Sequence, residues 1–248
     1  DAIAIASNGQ VTLTQTLIGT ELDISGDIDV DGTTNLDVVD IDGNLDVNGG
    51  TIKLDGNYPT GTDNVALGNQ ALEAVEAGGI QNTAVGNQSL ENVTTGDNNI
   101  GVGHRTLCTL TTGSCNVAVG KDALRTNTAS NNTAIGQEAL VANTTGCRNS
   151  SFGSLSLDAN TEGDTNVAVG YQSLSANTTA DNNTAVGSFA LLVNTTGCRS
   201  VAIGAESLKA NTTGVNNVAS GFQSMLLNTE GSSSLFDKYI DGVRHILG

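Results

Sequence analysis

From Asn64 to about Ser234 the chain repeats one order of polar and apolar positions. Each copy reads Asn, Val or Thr, Ala, Val or Ile, and Gly. Two variable residues follow, then Ala or Ser with Leu behind it, then a linker that often reads Ala-Asn-Thr-Thr-Gly. The glycines closing the short motif are Gly68, Gly86, Gly103, Gly120, Gly136, Gly153, Gly170, Gly187, Gly204 and Gly221. Successive members lie 18, 17, 17 and 16 residues apart, and then 17 five times. A period this regular predicts stacked coils, one per repeat. The three residues ahead of each glycine alternate in bulk, which predicts a short strand. Val or Ile precedes the glycine in most copies, with Leu67, Phe152 and Ser220 in the others, and Ala dominates one step earlier, from Ala66 to Ala219. Alternation gives the strand a β-branched face, expected to fill the core, and a face of Ala and Gly that lets another backbone approach.

Four residues before nine of the ten glycines stands Asn: Asn64, Asn82, Asn99, Asn116, Asn132, Asn149, Asn166, Asn183 and Asn217, the exception being Ser200. In register, these predict an amide ladder along the coil axis. A second column, Asn127, Asn143, Asn160, Asn177, Asn194, Asn211 and Asn228, opens the linker turns. Four residues after each glycine comes Leu or, at Met225, Met, read as a turn that drops one large aliphatic into the core per coil. Ten coils at about 4.8 Å each make a rod of roughly 48 Å. A perimeter of about 17 residues encloses a thin section, which matches an aromatic content of 3%. A single thin coil would expose its Ala face and three side by side would bury it, so the repeat predicts a homotrimer.

The flanks differ from the repeats. Residues 1–20 alternate over Ala2–Ala6 and Val11–Thr14 around Ser7-Asn8-Gly9, which predicts two strands and a turn. They pair within their own subunit or add to a neighbouring one. Residues 21–63 form a looser repeat in which Ile28, Val30, Ile41, Leu45 and Val47 alternate with Asp or Asn and Gly closes each short strand. Tyr58-Pro59-Thr60-Gly61 holds the only Pro and reads as a turn at the boundary. Residues 64–231 are the ten-repeat roll. In 232–248, apolar positions at 235/236, 239/240, 243 and 246/247 have helical spacing. Ser234 suits an N-cap with Asp237 at its third position, and Gly242 weakens the helix. This segment is expected to cap the roll or to dock onto a next subunit.

Formal net charge is −17 with nine basic residues, which argues against nucleic acid and anionic lipid as partners. Residues 1–63 hold twelve acidic groups against Lys53, a net −11 of that total. Asp27, Asp29, Asp31, Asp40, Asp42 and Asp46 read as solvated charge; calcium is the alternative, but no calcium-loop motif accompanies them. No apolar run approaches the length of a membrane span. The chain begins at Asp1, which reads as a processed product or a fragment.

The Asn-Thr-Ala-Val-Gly and Ala-Leu phrase resembles the head repeats of trimeric autotransporter adhesins and similar repeats in phage tail fibres and other viral fibres. The likeness covers residues 64–231. It implies a left-handed parallel β-roll, three-fold assembly and surface exposure. The period is longer than the usual head repeat, and no coiled-coil stalk or membrane-barrel anchor accompanies it, which favours a viral fibre or secreted appendage over an autotransporter. The Gly-punctuated strands of residues 21–57 likewise resemble viral fibre shafts.

Candidate chemistry is sparse. Cys108 and Cys115 bracket one linker, where a disulfide is expected in an extracellular setting. Cys147 and Cys198 share a register three repeats apart, about 14 Å on such a rod, too far to bridge. Only His104 and His245 are present and no Cys-x2-Cys, so no metal or cofactor is expected. Hydrolase and phosphate-binding motifs are absent, and Glu73, Glu138, Asp164 and Glu206 read as surface charge, so no catalysis is expected. Asn143 and Asn211 head glycosylation sequons. Tyr171, Phe189 and Phe222, just past closing glycines, pack within a trimer or stack on sugars. The expected function is a structural and adhesive fibre segment on a virion or cell surface, mediating attachment to a host glycan or protein or spacing a receptor-binding tip. The alternative is a subunit of a self-assembling extracellular filament. A binding site is expected where the phrase breaks, at Arg105–Cys115, at Asn149–Leu157 or beyond Gly231.

Overall fold

A computed structural model describes residues 4–5, 11–12, 63–76 and 78–237. The chain divides into two compact units, Asp1–Ile52 and Lys53–Gly248. In the first, β1 (Ala4–Ile5) and β2 (Val11–Thr12) pair antiparallel, Ala4 opposite Thr12 and Ile5 opposite Val11, within one chain. The acidic short-strand segment of residues 21–62, with its aspartates, lies outside the described residues.

The second unit is a parallel β-solenoid. Eleven three-residue strands stack in sequence order: β3 (Val65–Leu67), β4 (Thr83–Val85), β5 (Ile100–Val102), β6 (Val117–Val119), β7 (Thr133–Ile135), β8 (Ser150–Phe152), β9 (Val167–Val169), β10 (Thr184–Val186), β11 (Val201–Ile203), β12 (Val218–Ser220) and β13 (Leu235–Asp237). Every neighbouring pair is parallel and every repeat position faces its own copy, as Ala168 faces Ala185 and Ala185 faces Ala202. Strands this short hold no structure alone, so coil-to-coil pairing carries the fold. The two off-length repeats keep the register. The 18-residue step still sets Val65 against Thr83, and the 16-residue step sets Val117 against Thr133. Both changes fall in the linker turn, where Val75-Glu76-Ala77-Gly78-Gly79 is one residue long and Asn127-Thr128-Ala129 one residue short of the common Asn-Thr-Thr-Gly.

The closing glycine makes the corner after each strand. Gly136 has φ +142°, and a Cβ on it would lie 2.5 Å from the backbone of Gly153 in the next coil. Glycine is therefore needed twice over, for the dihedral and for the contact. Beyond it the chain turns through two left-handed residues, such as Glu138 (φ 56°) and Leu140 (φ 52°). That path turns each Leu inward: Leu72, Leu90, Leu107, Leu124, Leu140, Leu157, Leu174, Leu191 and Leu208 are all fully buried.

The strand faces are the reverse of the expectation. The central Ala of each strand points inward, with Ala84, Ala118, Ala134, Ala168, Ala185, Ala202 and Ala219 fully buried, while the β-branched flanks face out. The reason is volume. A thin coil already filled by one Leu has room for a methyl opposite it, not for a second branched side chain. The tail also departs from expectation. Leu235–Asp237 is strand β13, with Leu235 opposite Val218, so no helix starts at Ser234. Instead Ser234 takes the ladder position, its N–H donating to Asn217 Oδ1 at 3.2 Å. The 17-residue frame wins there because a neighbouring strand is already in place, whereas a lone helix must nucleate. Residues 238–248 lie outside the described residues.

Candidate binding surfaces

The interior polar groups are engaged with one another. In the first Asn column each Oδ1 accepts the N–H of its counterpart one coil on, as Asn149 Oδ1 does from Asn166 N at 2.9 Å. Each Nδ2 donates to a linker carbonyl of the following turn, Asn99 to Gly113 O at 2.9 Å and Asn166 to Ala180 O at 2.7 Å. The second column is bonded amide to amide, Asn177 Nδ2 donating to Asn160 Oδ1 at 2.7 Å. Its members also reach the same linker carbonyls, as Asn177 does Ala180 O at 3.1 Å. In the first coils this place is apolar, filled by Val75, Val93 and Leu110. The Nδ2 atoms of sequon residues Asn143 and Asn211 lie inside this ladder, both residues fully buried, so neither presents an amide to a glycosyl donor.

A third ladder has no single-residue signature. Six residues before the closing glycine, in six of the coils, the side chain accepts the backbone N–H of the coil before it. Asp97 does so from Ile80 at 3.0 Å, Ser114 from Asp97 at 3.0 Å, Asp164 from Cys147 at 2.7 Å and Asp181 from Asp164 at 2.7 Å. Asp, Ser and Cys share the column because each offers a short acceptor. Asp164 is thereby a ladder member as well as an ion-pair partner of Arg148 at 3.4 Å.

All four cysteines are free thiols, so the bridge expected between Cys108 and Cys115 is not formed. Cys108 Sγ donates to Glu91 Oε2 at 3.2 Å, and desolvation together with that carboxylate pushes the thiol above its ordinary value. Cys147 donates to Asp164 Oδ1 at 3.3 Å and is raised likewise, by desolvation first and then by Asp164. Around the Arg105 break, Asp122 is 6% exposed and ringed by Arg105 (3.8 Å), Lys121 (3.5 Å) and Arg125 (3.8 Å). Among the described residues no three His, Cys, Asp or Glu side chains gather as metal ligands, and no helix is long and apolar enough to cross a membrane.

Two surfaces remain. The first is the outer strand face. From β3 to β12 it presents the first and third residue of each strand, and none of these twenty side chains is charged. Several are large and open: Ile203 is 47% exposed, Leu67 46% and Phe152 40%. The second is the corner formed by the two variable residues after each glycine. It carries Asn and Gln in the first coils, His104, Arg105, Lys121 and Asp122 next, and aromatics later. There the Tyr171 and Phe189 rings meet edge to face with centroids 5.4 Å apart. Lys209 Nζ lies 5.2 Å from the centre of Phe189 and 3.5 Å from Glu206 Oε1. Gln223 Nε2 donates to Glu206 Oε2 at 3.1 Å; that bond, and then Lys209, hold the Glu206 carboxyl below its ordinary value. Glu73 is exposed, and Glu138 Oε1 accepts a hydrogen bond from Gln137 Nε2 at 3.1 Å.

In-register parallel coils, amide ladders and a Leu-filled core define a β-solenoid repeat protein. No protein family, no curated protein and no solved structure matches this chain.

Proposed function

We propose that this chain is a structural and adhesive segment of an extracellular fibre, in which three copies pack side by side along their strand faces. The observation that carries this reading is the charge-free outer face. Twenty outward strand positions without a charge, fifteen of them Val, Ile, Leu or Phe, in a chain of net charge −17, form a largely apolar strip that water disfavours. A second and third copy of the same strip would cover it in register, since the two columns have the same coil spacing. The contact surface is thus the β-branched face rather than the Ala face, which the coil's own core already uses. The resemblance to trimeric adhesin heads and viral fibres supports a left-handed roll, exposure on a virion or cell surface, and attachment or spacing rather than catalysis.

The test is the solution mass by sedimentation, with Ile135→Lys and Ile203→Lys introduced together. Both side chains project from the face without filling the core. The parent should sediment as a particle of three chains whose size does not grow with concentration. The variant should sediment as single chains with an unchanged far-ultraviolet dichroism spectrum. A parent that stays single at micromolar concentration refutes the reading. Particles that lengthen with concentration would favour the open filament instead.

A further inference from the structure

The aromatic end of the variable corner has no role in the core or in the strand-face contact, yet its side chains contact one another across successive coils. Phe189 sits at a left-handed position, φ 60°, that polar residues take in eight of the ten coils. A bulky ring there is unfavourable for the backbone. Tyr171 and Phe222 are 46% and 59% exposed. Among the described residues the core, by contrast, contains no aromatic residue. These rings are therefore not part of the core packing. They lie on one corner of the rod, Tyr171 and Phe222 three coils or about 14 Å apart, with Phe189, Glu206 and Lys209 on the coils between. The polar members are already fixed. Lys209 caps the Phe189 ring, Glu206 holds Lys209, and Gln223 holds Glu206. Prior fixing lowers the entropy lost when a ligand is held.

We infer that this corner is a binding platform for a neutral oligosaccharide, with Tyr171 and Phe222 stacking on sugar rings and Lys209, Glu206 and Gln223 bonding their hydroxyls. A sugar ring offers an apolar C–H face and a rim of donors and acceptors, and the corner presents the complement of both. The Lys209 charge is matched by Glu206, and the chain as a whole is strongly acidic, so sulfated or sialylated sugars are disfavoured. The separation of the exposed rings suits an extended oligosaccharide rather than a single sugar. The inference rests on the attachment reading above and gives it a site.

The experiment uses the full chain on an immobilised array of neutral oligosaccharides of glucose, galactose, mannose and their N-acetylhexosamines, with sialylated and sulfated members alongside. Tyr171→Ala and Phe222→Ala are made singly and together, and each sample is also sedimented and melted. Binding to neutral members is expected, weakened about tenfold by either substitution and abolished by both, with assembly mass and melting unchanged. Three results would overturn the inference: no neutral member bound, a preference for anionic members, or binding indifferent to both rings. Loss of assembly or of folding in the double variant would overturn it too, by making the rings packing residues. An unaltered mass with no sugar bound would leave the fibre reading standing while removing the site.

Discussion

Replacing Asn99 by Ala should destabilise the solenoid more than replacing Asn166, although both residues are fully buried members of the same ladder. Among the described residues Asn99 is the only side chain donating to Gly113 O, and its Oδ1 is the acceptor for Asn116 N–H at 3.0 Å. Truncation orphans one buried carbonyl and one buried N–H. At about 1–3 kcal/mol per orphan, the loss is about 2–6 kcal/mol. Asn166 Oδ1 likewise serves Asn183 N–H, at 3.0 Å, but the carbonyl it serves, Ala180 O, is also bonded by Asn177. One orphan remains, and the loss is about 1–3 kcal/mol. The chain holds a natural instance of the milder case at Ser200. Its Oγ still accepts the Asn217 N–H at 3.2 Å, while Asn211 Nδ2 covers Gly214 O at 3.1 Å. Asn166→Ser should accordingly be close to neutral, and Asn99→Ser should not. Urea unfolding followed by circular dichroism, at one fixed chain concentration, measures the four variants. Equal losses at the two sites, or a larger loss at Asn166, would refute the backup argument. So would strictly additive losses in the Asn166→Ala, Asn177→Ala double variant, which alone strips Ala180 O of both donors.

Two further outcomes follow from single residues. Gly136→Ala places a methyl against the Gly153 backbone at a dihedral L-residues avoid, and should cost more than about 2 kcal/mol in the same urea assay; a neutral result would mean that the coils can part locally. Asp158 has a carboxyl pushed above its ordinary value, first by burial, with Oδ1 lacking a hydrogen-bond partner. A raised carboxyl favours folding while it is protonated in both states, and that contribution is lost as pH rises through its folded value. Asp158→Asn should therefore stabilise the protein at pH 7 relative to the parent, with the gain shrinking as pH falls through the raised folded value and gone below the ordinary Asp value; a gain independent of pH would refute the assignment.

The period, the Leu that fills each coil and the first Asn ladder are legible in the sequence because each is a column of one residue type. Direction is not legible in the same way. Alternation says that Ala168 and Val169 face opposite ways, but not which of them is inside. Volume decides that question, and the large aliphatic four residues after each glycine, Leu174 in this coil, is the signal that answers it. The third ladder has no such column because Asp97, Ser114 and Cys198 share a function and not a name. At the tail, the apolar spacing of Leu235, Phe236 and Tyr239 fits a helix as readily as it fits a last coil. Only the docked strand β12 settles Leu235–Asp237. The aromatic corner was visible as residues, but the Lys209–Glu206–Gln223 chain that fixes it depends on side chains 17 residues apart meeting at one edge.

The off-length repeats carry a consequence for how such a rod can change. A residue gained in Val75–Gly79 and a residue lost after Asn127 leave every strand facing its own copy. The coil thus has one expansion joint, and the joint lies away from both the strand strip and the corner after the glycine. Insertions there lengthen a loop without turning the apolar strip relative to its neighbours, whereas a single residue added between Asn and Gly would rotate everything beyond it. Whole coils can likewise be added or removed as units, which sets the length of the rod independently of what its edges recognise.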